Sequence, residues 1–147
     1  MSERKIIQKL FPRLTAATFK VTSPKTIQYN CIAWAADDDS KWWWPMLGKY
    51  WPEGVPFVET IDAFKQAYGT LGYEECASSR PEAGYQKIVI YADAMGVPTH
   101  AARQLEDGKW TSKLGKEWDI SHHAPVGVTG IHYGDIAVFM RRLRLLA

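Results

Sequence analysis

Cys31 is the residue with the most chemistry to offer. It follows Asn30, the only asparagine in the chain, and precedes Ile32-Ala33-Trp34-Ala35-Ala36. Asparagine is a good helix N-cap and the alanine-rich run has high helix propensity, so Cys31 is expected at the first helical position. Free backbone N–H groups and the positive end of the helix dipole favour thiolate over thiol there, which suits a nucleophile. A nucleophilic thiol needs an imidazole within hydrogen-bond reach and a third polar group that holds the imidazole in the right tautomer. The four histidines are His100, His122, His123 and His132. Only His100 opens an expected central strand, directly after the turn Gly96-Val97-Pro98, so it is the candidate general base and acid. Taken singly, a thiol beside alanines reads as packing, and a strand histidine as a satisfied core residue. The combination favours catalysis.

The third residue reduces to a parity question about the hairpin around Asp107-Gly108. A two-residue type I′ turn would set Ala102 opposite Lys113 and place Lys113 on the His100 face, where an ammonium cannot accept the imidazole proton. A three-residue loop with Gly108 in the left-handed position moves the register by one, and Ser112 then faces Ala102 on the His100 side. The second loop is the expectation, with Ser112 accepting the ring N–H. Asp119 is the other candidate, because a carboxylate stabilises an imidazolium better than a hydroxyl does. The backbone N–H of Cys31, with Gln28 or Tyr29, would stabilise an oxyanion.

The elements that must position these residues follow from periodicity. Residues 2–10 suit a short amphipathic helix capped by Ser2 and ended by Pro12, and 19–22 alternate like a short strand. Residues 37–58 form an excursion broken by Pro45, Gly48, Pro52, Gly54 and Pro56. It carries Trp42, Trp43, Trp44, Tyr50 and Trp51. Such a loop is expected to pack over the core as a lid; the functional alternative is that Trp42, Trp43 and Trp44, with Asn30, wall a substrate groove beside Cys31. A second helix is predicted over 59–71, then strands over 86–91, 99–105, 109–114 and 135–141. Helices first and antiparallel strands afterwards predict an α+β fold, with N-terminal helices packed on a C-terminal antiparallel β-sheet. The length of 147 residues suits a single domain, 1–147. Asp37, Asp38 and Asp39 do not continue into a calcium loop and read as a solvated acidic corner, unfavourably placed at the negative end of the Cys31 helix. Cys76, among Glu74 and Glu75, reads as an inert thiol. Arg141, Arg142 and Arg144 read as a solvated strand edge.

A cysteine opening a helix, followed by a histidine opening a strand of an antiparallel sheet, resembles the papain-like cysteine hydrolase superfamily, and within it the compact bacterial NlpC/P60 and CHAP amidases. The hairpin from His100 to Ser112 resembles the NlpC/P60 hairpin, whose return strand supplies the third polar residue. Trp110-Thr-Ser-Lys-Leu-Gly115, Asp119-Ile-Ser-His122 and Tyr133-Gly134 are similar to the tail of small bacterial papain-like proteins. The resemblance implies a papain-like fold and a thiol-dependent acyl hydrolase or transferase acting on an amide, isopeptide or thioester bond. By the same analogy it implies a toxin or effector role in bacterial conflict as one setting. The competing reading is a catalytically inactive papain-like module that presents its Trp-rich surface to a protein partner.

Composition bounds the partners. Eighteen Lys plus Arg against sixteen Asp plus Glu, for a net charge of +2, give no electrostatic case for nucleic acid or a membrane surface. No apolar run is long enough to span a bilayer, and the first residues lack the apolar core of a secretory signal. The expectation is a cytoplasmic protein, with export by a dedicated secretion system left open. Two cysteines are too few for a disulfide framework. The spacing of Cys31, His100, His122 and His132 matches no compact zinc motif. A peptide or protein substrate and no cofactor are expected; oligomeric state is open.

Overall fold

The computed structural model describes residues 2–144, so the expected domain limits at Met1 and Ala147 lie outside the described residues. The chain forms α1 (Glu3–Leu10), β1 (Phe19–Ser23), α2 (Cys31–Ala35), α3 (Ile61–Gly69), β2 (Glu74–Cys76), β3 (Tyr85–Ala92), β4 (Pro98–Gln104), β5 (Trp110–Lys113), β6 (Asp119–His122), a short 3-10 turn (Pro125–Val128) and β7 (Asp135–Leu143). The fold is α+β. All seven strands join one antiparallel sheet in the order β1-β6-β5-β4-β3-β7-β2.

Caps set the helix starts. Ser2 Oγ accepts from Lys5 N, Asn30 Oδ1 from Ala33 N, and Thr60 Oγ1 from Ala63 N, each satisfying one orphan first-turn donor. β2 and β6 escaped the periodicity reading because three and four residues carry too little pattern. Pairing supplies them: β2 forms on β7, and β6 lies between β1 and β5. That pairing also corrects the expected role of the terminal arginines. β7 is flanked by β3 and β2 rather than lying at an edge, and Arg141 bridges Glu74 and Glu82.

Both faces of the central strands are covered, which is why β3 reads as a continuous apolar run rather than alternating. Ile88, Ile90, Ala101, Val138 and Met140 pack against α2, α3 and the tryptophan excursion. Val89, Tyr91, Ala102, Trp110 and Ile120 pack against α1 and the segment that follows it.

The β4–β5 hairpin takes the three-residue loop. Leu105 N donates to Lys109 O at 2.7 Å, Gly108 N donates to Leu105 O at 3.0 Å, and Gly108 has φ +88°. Arg103 lies opposite Thr111 and Gln104 opposite Trp110, so the same register carries Ser112 opposite Ala102. Lys113 falls on the other face, opposite Asp119.

Candidate functional site

Cys31 opens α2, as the Asn30 cap and alanine run dictate. Its backbone is part of the first turn, and the N–H groups of Ala101 on β4, of Ile32 and of Cys31 itself favour the thiolate. Ala101 lies beyond the paired residues of β4 and β5, which are Arg103–Thr111 and Gln104–Trp110. Burial, the larger influence, nevertheless pushes the thiol up to about 11, against the N–H groups and the nearby Lys113 ammonium, which pull it down. The residue is 7 % exposed, and that sliver opens into a groove of about 290 Å³ lined by Cys31, Asn30, Trp42, Trp44, Met46 and Tyr133.

His100 sits on β4 and is fully buried. Strand alternation puts its side chain on the Tyr91 face, whereas Cys31 belongs to the Ala101 face. Two things bring them to the same end of the sheet. The N–H of Ala101, the residue that follows His100, is among the groups that pull the Cys31 thiol down, and Tyr133 both lines the Cys31 groove and stacks on the imidazole at 4.0 Å and 4°. His100 Nε2 is hydrogen-bonded to Ser112 Oγ at 3.0 Å, while Nδ1 has no hydrogen-bond partner among the described residues. Burial, with the neighbouring His122, holds the imidazole pKa well below its usual range.

Ser112, also fully buried, is bonded on its other side to His122 Nε2 at 2.8 Å, and His122 Nδ1 lies 2.9 Å from the Ala124 carbonyl oxygen. Burial lowers His122 to about 4. His122 has the parity of Ile120, which faces Ser112, so its place beside Ser112 follows from counting along β6 once that strand is paired with β5. His123 and His132 are exposed.

Several sequence candidates lie elsewhere. Asp119 does not reach His100: it faces Lys113 across the ladder, on the other side of the sheet from Ser112, and its Oδ2 accepts from Tyr29 Oη at 2.5 Å. That bond and a stack on Trp34 hold the Tyr29 side chain away from an oxyanion role. Asn30 borders the groove, but its amide is committed to the fold: Oδ1 accepts from Ala33 N and Trp43 N, and Nδ2 donates to Trp43 O at 2.7 Å. Trp43 is core rather than groove wall, 4 % exposed and packed on Tyr50 and Tyr68. Gln28 is exposed and does not border the groove. The acidic corner is also more committed than expected. Asp37 pairs with Arg103, and Asp38 accepts from Ser40 and Trp43 Nε1 and pairs with Lys41, so these two carboxylates beyond α2 are compensated. Cys76 is half-buried, its thiol donating to the Ser78 carbonyl.

A model of the family described as Domain of unknown function (DUF7689) matches residues 20–141, a span containing Cys31, His100, Ser112 and His122. The chain belongs to the DUF7689 family. No curated protein and no solved structure matches it. Among the described residues of this DUF7689 member, no helix is long and apolar enough to cross a membrane.

Proposed function

We propose that the protein is a thiol-dependent acyl hydrolase or transferase of papain-like type, with Cys31 as nucleophile, His100 as general base and acid, and Ser112 orienting the imidazole. The observation that carries this reading is the Ser112–His100 bond: it occupies Nε2 and leaves Nδ1 unpartnered at the end of the sheet where Cys31 begins its helix. A buried, unpaired ring nitrogen costs stability, and such atoms are rare away from functional sites.

The resting pair is neutral thiol and neutral imidazole, because burial raises one pKa and lowers the other. Proton transfer therefore accompanies attack. As the sulfur–carbon bond forms, the Cys31 S–H proton passes to His100 Nδ1 and the carbonyl electrons move onto oxygen, which the Cys31 backbone N–H stabilises. Collapse returns that proton to the leaving amine or thiol and leaves an acyl-thioester. Water or a second acceptor, deprotonated by the same nitrogen, then attacks the thioester; the carbon–sulfur bond breaks, the proton returns to the Cys31 sulfur, and the acyl product leaves. The sulfur–imidazole hydrogen bond absent from the resting site forms when an acyl group enters, since such bonds tighten on substrate binding. Trp42, Trp44, Met46 and Tyr133 favour an apolar substrate segment, of a peptide or protein.

The pH dependence of iodoacetamide labelling at Cys31 tests this. The His100→Ala variant should lose most of the labelling rate near pH 7, where the thiol alone is almost fully protonated. Identical pH profiles for both proteins would contradict the pairing. The thiol raised to about 11 favours a second reading, an inactive module that offers the apolar groove to a protein partner; identical profiles would support it.

A further inference from the structure

We propose that His122 is a positioning residue which, through Ser112, fixes His100 in the tautomer with its proton on Nε2 and a bare lone pair on Nδ1. The direction is set by a backbone carbonyl at the far end of the chain of bonds. The Ala124 oxygen can only accept, so the His122 nitrogen 2.9 Å away must be Nδ1–H. A neutral imidazole carries one N–H, which makes His122 Nε2 an acceptor. Ser112 has a single hydroxyl proton, and it must therefore point to His122 Nε2 at 2.8 Å. The Ser112 oxygen is left to accept from His100 Nε2 at 3.0 Å, which places the His100 proton there. Nδ1 is then bare, in keeping with its lack of a partner. Reversing the chain would require His122 to be doubly protonated.

Both imidazoles are neutral near pH 7, because burial moves them downward from their ordinary value. The parallel stack with Tyr133 holds the His100 ring in plane, so a flip about its Cβ–Cγ bond, which would put Cε1 in place of Nε2, would have to break both the stack and the Ser112 bond. The arrangement is a one-way wire of hydrogen bonds: it does not touch substrate, and it acts by presenting a base nitrogen of defined protonation. Its value to catalysis rests on the proposed thiol chemistry, but the tautomer itself does not.

The experiment is an imidazole nitrogen–proton correlation spectrum of the full-length, nitrogen-labelled protein at pH 7, assigned with His123→Gln and His132→Gln. The expected spectrum has His100 protonated at Nε2 only and His122 at Nδ1 only. A spectrum with His100 protonated at Nδ1 would overturn the proposal. In Ser112→Ala, His122 should keep its tautomer while His100 becomes a mixture. His122→Ala should slow iodoacetamide labelling of the Cys31 peptide, followed by mass spectrometry, about tenfold; His122→Gln, which retains an acceptor near the Nε2 position, should recover it to within about threefold. Unchanged His100 protonation and unchanged labelling in His122→Ala would count equally against it. If that variant does not fold, the wild-type spectrum still decides. Correct tautomers without any acyl transfer at Cys31 would leave the positioning role standing and remove only the enzymatic reading.

Discussion

Asn30 joins two parts of the chain through one amide: it caps α2 and ties down the backbone of Trp43 on both sides. Replacing it with alanine removes a cap and two buried hydrogen bonds, and should cost about 2–3 kcal/mol in urea unfolding. Asn30→Asp keeps the cap but loses the Nδ2 donor, so it should fall between the two. Lys113 is the nearby cation that pulls the Cys31 thiol down. Lys113 is the weakest of the influences that pull it down, so Lys113→Met should push the thiol only slightly higher and slow its alkylation at pH 8 by less than about threefold, with His100 unchanged. These residues differ in how legible they were. Cys31 at the start of a helix follows from its neighbours, and Ser112 from counting around Gly108. Asp119 misled because its carboxylate chemistry suited the role while its strand parity did not. His122 was missed because a four-residue strand of mixed polarity leaves no periodic trace.

At the scale of elements, the hairpin register is the hinge on which the site depends. Gly108 holds φ +88°, where a side chain is strained, and an added Cβ would also lie 3.3 Å from Pro81 Cγ. Gly108→Ala should therefore destabilise by about 1–2 kcal/mol, and Gly108→Asn by less, since asparagine tolerates the left-handed region. Thermal melts would rank the two. If the alanine variant relaxes toward a two-residue turn, Ser112 leaves the His100 face and Cys31 labelling should fall with it. The tryptophan excursion shows the limit of composition as a guide. Trp43, Trp44 and Trp51 do pack over the core, as burial energy demands, with Trp44 and Trp51 against Phe64, whereas Tyr50 and Phe57 stay exposed. Which of them also border the groove depends on a loop path fixed by Asn30 and by the backbone bonds between Trp42, Trp44 and Tyr50, none of which is written in hydrophobic periodicity.

For the whole molecule, two neutral imidazoles buried in the sheet make acid the natural stress. His122 titrates near 4 when folded and near its ordinary 6.5 when unfolded, so the unfolded chain gains a proton first as pH falls. Its contribution is fully present above pH 6.5 and is lost progressively between 6.5 and about 4, amounting to about 3 kcal/mol. His100, shifted the same way, adds to the loss. Asp119, raised by burial, works in the opposite sense. Melting temperature should drop between pH 6.5 and 4, and His122→Gln should flatten that drop by roughly one proton's worth. The α+β class and the antiparallel sheet were readable from the order of helical and alternating segments. The two-sided burial and the place of β7 inside the sheet were not, because they depend on pairings between distant segments. The proposed function requires that Cys31 and His100, held at the same end of the sheet, transfer acyl groups together. The most direct measurement is mass spectrometry of the Cys31 peptide after incubation with p-nitrophenyl acetate. The account predicts a single acetyl thioester on Cys31 that hydrolyses and reforms, and that is lost in His100→Ala while the variant stays folded. Acetylation that is absent from Cys31, or that proceeds equally fast without His100, would contradict it.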